Sequence, residues 1–428
     1  MGSRMRWLVG SLMFLGGMIN YLDRSALGVA APLISRDLHL GPAALGVVFS
    51  AFSLGYAPFC FVGGYLSDRF GPKRVMTTAM IGWSMFCGLT AAAVGLGSLL
   101  AIRVVFGFAE GPIGSTSNKV VRNWFPHREQ ASAISLANAG TPLGAALSGP
   151  VVGFAAVAFG WRAAFVVIML IGFAWLLAWV PLVTDRPRDN RRVAPAELAV
   201  IVEGQAAQPA DDPAQGGRLS ALLLRPAVLA TGFAFFGYSC ILFFFLTWFP
   251  SYLGIARHLS LKSMSIVSTI PWLLGFVGLA AGGPLSDLIF RWTGQALLAR
   301  KIVLVGGLLA AAIAIALAGT AQTATGAVAL MAAAVFCMYL TGNTYWAVIL
   351  DTVPSARVGG VGGFVHFIAN CGGIVAPLVT GFIVQATGSF VSAFLLTGAI
   401  AVLGALGVAV FVRADNAVPR FARGGGIA

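Results

Sequence analysis

Long apolar segments recur along nearly the whole chain, separated by short polar stretches. A segment of about 20 apolar residues can cross the hydrocarbon core of a bilayer as an α-helix. The sequence therefore predicts an all-α membrane protein with twelve transmembrane helices, numbered here as spans 1 to 12. They cover residues 7–33, 43–66, 75–95, 98–120, 131–158, 162–184, 227–253, 263–287, 302–319, 324–350, 358–386 and 389–412.

The composition excludes several other classes of protein. Of 428 residues, 58% are hydrophobic and 10% are charged, whereas about a quarter of a soluble domain is charged. The net charge of +13 does not indicate a nucleic-acid partner, because the basic residues lie between apolar runs rather than on a soluble face. Metal-ligand spacings, phosphate loops and a nucleophile with its base are all missing, so we predict no metal, no cofactor and no enzyme activity.

The distribution of basic residues predicts the orientation in the membrane. If both termini are cytoplasmic, the inner loops and tails hold 21 of the 27 Lys and Arg residues, the outer loops hold four, and two lie within spans. Basic residues are enriched in cytoplasmic loops, so both ends are predicted to be inside. Span 1 is too long for a cleaved signal peptide and is expected to be retained.

One long polar stretch, residues 185–226, divides the chain. We predict a six-helix half at 1–184, a cytoplasmic linker at 185–226, a second six-helix half at 227–413 and a cytoplasmic tail at 414–428. The linker contains PAELAVIVEGQ, which predicts one short surface helix, followed by the disorder-prone PADDPAQGG. We interpret it as a tether rather than a regulatory site, because its composition supplies mainly flexibility.

A repeated motif supports two related halves. GGYLSDRFGPKR begins at Gly63 and GGPLSDLIFRWTG begins at Gly282, each after the second helix of its half. The first copy resembles the loop signature of the major facilitator superfamily, G-x-L-x-D-R-x-G-x-K-R, and the second copy keeps Gly283, Leu285 and Asp287. This resemblance implies two pseudo-symmetric halves and a cytoplasmic gate formed by Asp68, Arg69, Lys73, Arg74 and Asp287.

Four charged residues lie well inside predicted spans: Asp23, Arg24, Arg103 and Glu110. Burying a charge in a bilayer costs a few kcal/mol even on lenient scales, about 2.5–3.5 for Arg or Asp, so such groups usually face a polar interior and pair. Arg103 and Glu110 are seven residues apart and project from one face of span 4. The alternative to a transport role is an ion-paired cluster that only joins helices.

These four residues predict a coupling mechanism. Together they carry no net charge, but protonating both acids would leave the two arginines uncompensated, and the cavity would then attract an anion. Deprotonation would restore the internal pairing and help to expel it. Arginine suits this task because its planar fork binds a carboxylate bidentately and does not titrate.

Several further stretches resemble the anion:cation symporter branch, which includes proton-coupled carriers of hexuronates, aldonates and related organic anions. They are NYLDR, SLGYA, GFAEGP, FLTWFPSYL and GGIVAPLVTG. By this resemblance Arg24 would bind the substrate carboxylate, and Tyr21 and Tyr56 would donate hydrogen bonds to it. Asp23 and Glu110 would carry protons, and Arg103 would steady the acids.

Other polar residues within spans are candidates for contacts with sugar hydroxyls. Asn370 resembles a substrate-facing asparagine of the family, whereas His366 is interpreted as a packed histidine rather than a proton relay. In the same half, Asn343 and Trp346 are candidates. From span 5, Asn138 and Thr141 are expected to face the cavity, where some sugar-acid carriers have glutamine or serine, so the anion itself stays open.

The sequence therefore predicts a proton-coupled symporter that imports small organic anions, most of all sugar acids (hexuronate, aldonate or aldarate), by alternating access. We expect a monomer in a bacterial-type inner membrane, with the anion, protons and the lipid bilayer as its partners. One alternative is an organic-anion facilitator or an exporting antiporter. Another is a transport-inactive membrane sensor, which would need a larger soluble effector domain than the linker and tail supply.

Overall fold

The computed structural model describes residues 4–206, 218–354 and 357–413, and nearly all of them are helical, with no strand in these ranges. Within them, eleven helices are long and apolar enough to cross a membrane by length and composition. The remaining predicted span is a helix of 33 residues; it is less apolar because Asn20, Asp23 and Arg24 interrupt it. The all-α fold class is confirmed.

The helices follow the predicted order. In the first half they are α1 (Met5–Asp37), α2 (Pro42–Phe70), α3 (Pro72–Leu89), α4 (Leu96–Glu110), α5 (Ile113–Trp124), α6 (His127–Phe159) and α7 (Trp161–Leu182). The linker contains α8 (Pro195–Ala206) and α9 (Leu219–Leu223). The second half contains α10 (Pro226–Thr247), α11 (Phe249–Ile255), α12 (Leu261–Val267), α13 (Thr269–Thr293), α14 (Ala296–Thr320), α15 (Ala324–Leu340), α16 (Thr344–Thr352), α17 (Val358–Thr387) and α18 (Val391–Phe411).

Spans 4, 7, 8 and 10 each contain a break that the apolar pattern does not predict, so each consists of two helices. In span 4 the break follows Glu110, at Gly111 and Pro112. Proline has no N–H to continue the helical ladder, and its ring clashes with the carbonyl four residues earlier. In span 7 the break precedes Pro250, and in span 10 it lies at residues 341–343.

The two halves contact each other directly. Ser50 Oγ on α2 donates a 2.7 Å hydrogen bond to the carbonyl of Ile374 on α17. Helices α6 and α13 are bridged in the same way, by a 3.0 Å bond from Thr269 Oγ1. Glycine permits still closer contact, because a Cβ at Gly28 of α1 would lie 2.5 Å from the carbonyl oxygen of Leu246. These contacts hold the first half against the second.

Ion pairs at the ends that are predicted to be cytoplasmic join residues of the same half. Lys119 of α5 lies 2.5 Å from Asp68 of α2, and Arg300 of α14 pairs with Asp351 of α16. Tyr65 of α2, near this end, is 61% exposed. The orientation of the bundle in the membrane stays a prediction.

Candidate functional site

Helix α1 places a charged pair at the centre of the bundle. Asp23 is 1% exposed and Arg24 is 7% exposed. Arg24 Nε donates a short hydrogen bond to Oε1 of Glu110, the last residue of α4, which is fully buried. The sequence separation of 86 residues means that this ion pair ties span 1 to span 4.

Aromatic rings surround the Arg24 guanidinium. Its central carbon lies 4.3 Å from the ring centroid of Tyr56, 5.0 Å from Phe52 and 5.3 Å from Tyr21. Cation–π attraction is worth about 2 kcal/mol or more when the pair is desolvated. The rings therefore hold the guanidinium while leaving part of its planar edge free of carboxylate. Tyr21 and Tyr56, both predicted to bind substrate, lie where a carboxylate bound to Arg24 would reach them.

Glu110 stands at the break in span 4. Pro112 ends the regular ladder two residues later, so the carboxylate projects from a helix end rather than from a helix middle. The amide of Asn20 faces Glu110, yet neither Asn20 Nδ2 nor Glu110 Oε2 completes a hydrogen bond of normal geometry within the described ranges. One oxygen of the carboxylate is thus free to take a proton.

The other two charges complete the cluster without forming close pairs. Both carboxylate oxygens of Asp23 lack a hydrogen-bond partner of normal geometry among the described residues, although Arg24, Arg103 and Glu110 all act on it electrostatically. Arg103 is 3% exposed and lies 4.7 Å from the ring centroid of Phe106, and its Nε also lacks such a partner in the described ranges. The four predicted residues are therefore brought together in one neutral, incompletely hydrogen-bonded cluster.

The second half contributes a wall without charge. Asn370 Nδ2 donates a 2.8 Å hydrogen bond to the carbonyl of His366 one turn earlier and lies 3.3 Å from the ring Nδ1. The His366 ring packs between Phe235, at 6.0 Å, and Trp346, at 5.9 Å between centroids. Because the Asn370 amide nitrogen is engaged, its oxygen is the group left to accept from a hydroxyl.

Three tyrosines on this wall were missed by the sequence reasoning: Tyr238, Tyr339 and Tyr345. Tyr238 packs against Tyr345 with ring centroids 5.7 Å apart and against Tyr339 with ring centroids 6.3 Å apart. A signal existed, because the chain has only seven tyrosines and these three fall inside predicted spans. They form one cluster of the second half, whereas Tyr21 and Tyr56 lie beside Arg24 in the first half.

The remaining candidates occupy less central positions. Asn138 on α6 is exposed, and its carbonyl accepts a 2.8 Å hydrogen bond from Thr141 Oγ1. Thr141 faces the Tyr339 hydroxyl. Asn343 is exposed at the start of α16, and Trp346 is 40% exposed. Asn138, Asn343 and Trp346 are thus more exposed than the buried charged cluster.

The predicted gating residues lie at the end of α2, at the start of α3 and in the last part of α13. Asp68 pairs with Lys119, and Arg69 donates to the Tyr65 hydroxyl at 2.9 Å. The backbone N–H of Lys73 donates to Asp185 at 2.8 Å, while Arg74 and Asp287 are exposed. These contacts do not bridge the two halves, and the gating role stays a prediction.

Comparisons with known proteins agree with this architecture. The family profile of the Major Facilitator Superfamily matches residues 13–370. The chain is 51% identical to a hexuronate transporter of Bacillus subtilis strain 168, with 94% of this chain and 93% of that protein covered. It is 33% identical to a probable galactarate/D-glucarate transporter of Escherichia coli K12, covering 94% and 93%. The fold also matches the crystal structure of a bacterial homolog of the human lysosomal transporter Spinster, with a TM-score of 0.80 at 16% identity, covering 98% and 100%.

Proposed function

The chain belongs to the Major Facilitator Superfamily, and on that basis we propose that it imports sugar acids of the hexuronate type together with protons. Two of its relatives are named as transporters of hexuronate and of galactarate/D-glucarate, which supports the substrate class. The proton coupling is our own inference from the central cluster.

The Arg24–Glu110 ion pair supports the proposal most directly. In this state Glu110 occupies the guanidinium that would hold the substrate carboxylate. Protonating Glu110 would release Arg24 for the anion, and losing that proton to the cytoplasm would let Glu110 displace it. Anion release inside is thereby linked to proton release.

Asp23 and Arg103 extend the same balance. The two carboxylate oxygens of Asp23 lack close partners among the described residues, and both arginines act on them electrostatically. A proton on Asp23 therefore raises the net charge of the cluster by one. Arg103 sits on Phe106 rather than on either acid, and it stabilises whichever carboxylate is ionised. The cluster thus holds its charge sum near zero through the cycle.

The neutral wall of the second half suits the rest of a sugar acid. Tyr238 and Tyr339 supply hydroxyls, the Asn370 amide supplies one carbonyl oxygen, and Tyr345 packs its ring against Tyr238. A single carboxylate on Arg24 with a polyhydroxy ring against this wall uses both sides of the cavity. A hexuronate has that layout, whereas an aldarate brings a second carboxylate to a wall that offers no described cation.

The test is uptake of labelled D-glucuronate and D-galacturonate into proteoliposomes under an inward proton gradient. We expect accumulation above the outside concentration, abolished by a protonophore, with galactarate competing at least tenfold more weakly. Arg24→Gln should remove the uptake, and Arg162→Gln, which changes an exposed outer arginine, should keep it. Uptake that ignores the proton gradient would reject coupling, and stronger competition by galactarate would reject the substrate class.

We also propose that both termini lie in the cytoplasm, as the asymmetry of 21 to four basic residues predicts. Single cysteines at positions 191 and 425 in a cysteine-free background would be labelled with an impermeant thiol reagent. Position 191 is exposed; position 425 lies outside the described residues. We expect labelling only after the cells are opened, and labelling of either site in intact cells would reverse the orientation.

The same orientation gives the gate its proposed role. Asp68, Arg69, Lys73, Arg74 and Asp287 lie at the cytoplasmic ends of spans 2, 3 and 8. We propose that they bridge the two halves when the cavity opens outward, replacing pairs such as Lys119 with Asp68.

A further inference from the structure

A cleft opens on the cytoplasmic face of the first half, away from the central cavity. It has a volume of about 450 Å³. Its walls are the end of α5, the start of α6, the segment that follows α7, and one face of the linker helix α8. The linker is therefore packed on the first half at this place, and not only a tether between halves.

The lining of the cleft is basic. Arg122, Arg186, Arg188 and His127 contribute to it, and its lining contains no Asp or Glu among the described residues. Within the described ranges the side chains of Arg122 and Arg186 form no hydrogen bond or ion pair, and Arg188 has only the exposed Asp189 at 3.9 Å. Arginines collected around a concave site without acids indicate an anionic ligand.

Two neighbouring cations on the same face, Arg6 and Lys119, differ from the arginines of the cleft because they form close ion pairs. Arg6 binds Glu129 at 2.9 Å and Glu197 at 3.1 Å, and Lys119 binds Asp68. These two cations are thus neutralised by carboxylates, whereas Arg122 and Arg186 in the cleft are not paired with any described carboxylate.

The polar amides of the cleft are used to build its walls. Gln205 Nε2 on α8 donates to the carbonyls of Arg122, at 2.9 Å, and Asn123, at 3.1 Å, at the end of α5. Asn123 Nδ2 donates to the carbonyl of Asp185 at 2.9 Å. These bonds hold α5, α8 and the segment after α7 together. The guanidinium groups are what remains for a ligand.

Helix α8 is anchored from its other end as well. Glu197 is 3% exposed, and its two oxygens accept from the backbone N–H groups of Met5 and Arg6 at 3.1 Å each. The apolar residues Leu198, Ile201 and Val202 line the cleft on the α8 side. The cleft therefore has one fixed apolar wall and one cationic wall.

We propose that this cleft binds a phosphate-bearing anion from the cytoplasmic side. A carboxylate carries one negative charge and can be bound by a single arginine, so three arginines favour a ligand of higher charge. A phosphate group carries up to two negative charges and accepts bidentate hydrogen bonds from more than one guanidinium. A bound phosphate would bridge α5 to the segment 186–188 beneath α8. Two sources have this chemistry, a soluble phosphate ester and the headgroup of an anionic phospholipid at the inner leaflet.

The first experiment uses the full chain in neutral detergent, with pyrophosphate as the probe against sodium chloride of equal ionic strength. Hydrogen exchange over residues 195–206 and the Tm are followed together. The Arg122→Gln/Arg186→Gln variant removes the cleft charges, and Arg191→Gln removes an exposed arginine of the same segment. If the ligand is soluble, pyrophosphate should slow exchange in the parent and in Arg191→Gln, with half-saturation at least tenfold weaker in the double variant.

The second experiment places the same three proteins in phosphatidylcholine nanodiscs with or without phosphatidylglycerol. If the ligand is a lipid headgroup, phosphatidylglycerol should slow exchange over residues 195–206 in the parent and in Arg191→Gln but not in the double variant. Protection by either probe that depends on the two arginines supports the proposal and identifies the source. Protection by neither probe in the parent, or equal protection in all three proteins, would overturn it.

Discussion

Helix α1 carries two charged clusters of similar composition and opposite construction. At the N-terminal end of α1, Arg6 donates from Nε to Glu129 and from Nη1 to Glu197, and both oxygens of Glu197 also accept backbone N–H groups. At its centre, Arg24 pairs with one oxygen of Glu110, and Asp23 has no hydrogen-bond partner of normal geometry in the described ranges. One cluster is saturated with hydrogen bonds, and the other is not.

This difference in hydrogen bonding distinguishes charges that stabilise the fold from charges that can bind a proton or an anion. A buried polar network stabilises one arrangement when every member is satisfied, and an unsatisfied buried charge costs free energy. In the Arg6 cluster, every carboxylate oxygen of Glu129 and Glu197 already accepts a hydrogen bond. The central cluster keeps spare oxygens and an arginine with one carboxylate partner, so a proton or an anion can rearrange it. We infer that the Arg6 cluster fixes the position of α1 and that the Arg24 cluster takes part in transport.

The largest effect is expected at Arg24. Lysine keeps the charge but cannot reproduce the guanidinium fork, so Arg24→Lys should weaken hexuronate binding by about 1.5–3 kcal/mol, on the order of tenfold to a hundredfold. Binding is measured directly by calorimetry on the purified protein. Arg162→Lys, at the exposed outer ion pair, is the control and should bind as the parent does. Equal affinity in Arg24→Lys would remove Arg24 from the site.

The saturated cluster should respond in stability rather than in affinity. Glu197→Gln removes the charge opposite Arg6 while keeping the shape, and we expect a loss of about 1–3 kcal/mol in the free energy of unfolding. Hexuronate affinity and the ratio of accumulated to external substrate should change less than twofold. Glu203→Gln, on an exposed position of the same helix, is the matched control. A loss of coupling in Glu197→Gln with stability intact would contradict the assignment of a structural role to the Arg6 cluster and a transport role to the Arg24 cluster.

The neutral wall should influence affinity without touching coupling. Tyr339→Phe removes one hydroxyl that faces Thr141 and Tyr21, and a single hydrogen bond contributes about 0.5–1.5 kcal/mol. We expect a three- to tenfold rise in the apparent KM for D-glucuronate, with the accumulation ratio at saturation unchanged. Tyr252→Phe, outside the cavity, should leave the KM alone. A collapse of the accumulation ratio would show that coupling extends into the second half.

The smallest effect is expected at the outer end of α1, where Asp37 accepts from Arg162 at 2.5 Å and from Trp161 at 3.2 Å. These donors lower the pKa of Asp37. Because the folded pKa lies below the unfolded value of about 3.9, the pair stabilises the fold above that pH and the benefit is lost as pH falls through the folded pKa.

Thermal unfolding of the parent and Asp37→Asn from pH 7 to pH 3 would measure this. The parent should lose slightly more stability on acidification, since exposed pairs contribute little. Identical pH profiles would assign the pair no energetic role, and a large difference would mean that exposure is a poor guide to the strength of these clusters.

Much of this architecture could be predicted because membrane spans are long and apolar. The same argument singled out Asp23, Arg24, Arg103 and Glu110, since charge within an apolar run is rare. The sequence could not predict which charged side chains form ion pairs or which conformational state the bundle adopts. Spacing on span 4 placed Arg103 and Glu110 on one face, but the close partner of Glu110 is Arg24, because only tertiary packing decides which helices meet.

Other features depended on local geometry that the apolar pattern hides. The break after Glu110 follows from Pro112, which a hydropathy window averages away. The linker helix was predicted from its composition, whereas its burial of Glu197 against α1 was not, because a carboxylate in a polar stretch gives no sign of a distant partner. Tyrosines of the second half were missed because uncharged polar groups do not interrupt an apolar run.

The proposed coupling of anion transport to protons requires that Glu110 releases its proton to the cytoplasm. Glu110→Gln imitates the protonated carboxyl permanently, so in proteoliposomes it should still exchange labelled for unlabelled D-glucuronate. It should fail to accumulate D-glucuronate under an inward proton gradient, at every pH where the parent does so. If Glu110→Gln concentrates the sugar acid as well as the parent, Glu110 only joins α1 to α4 and the proposed coupling is wrong.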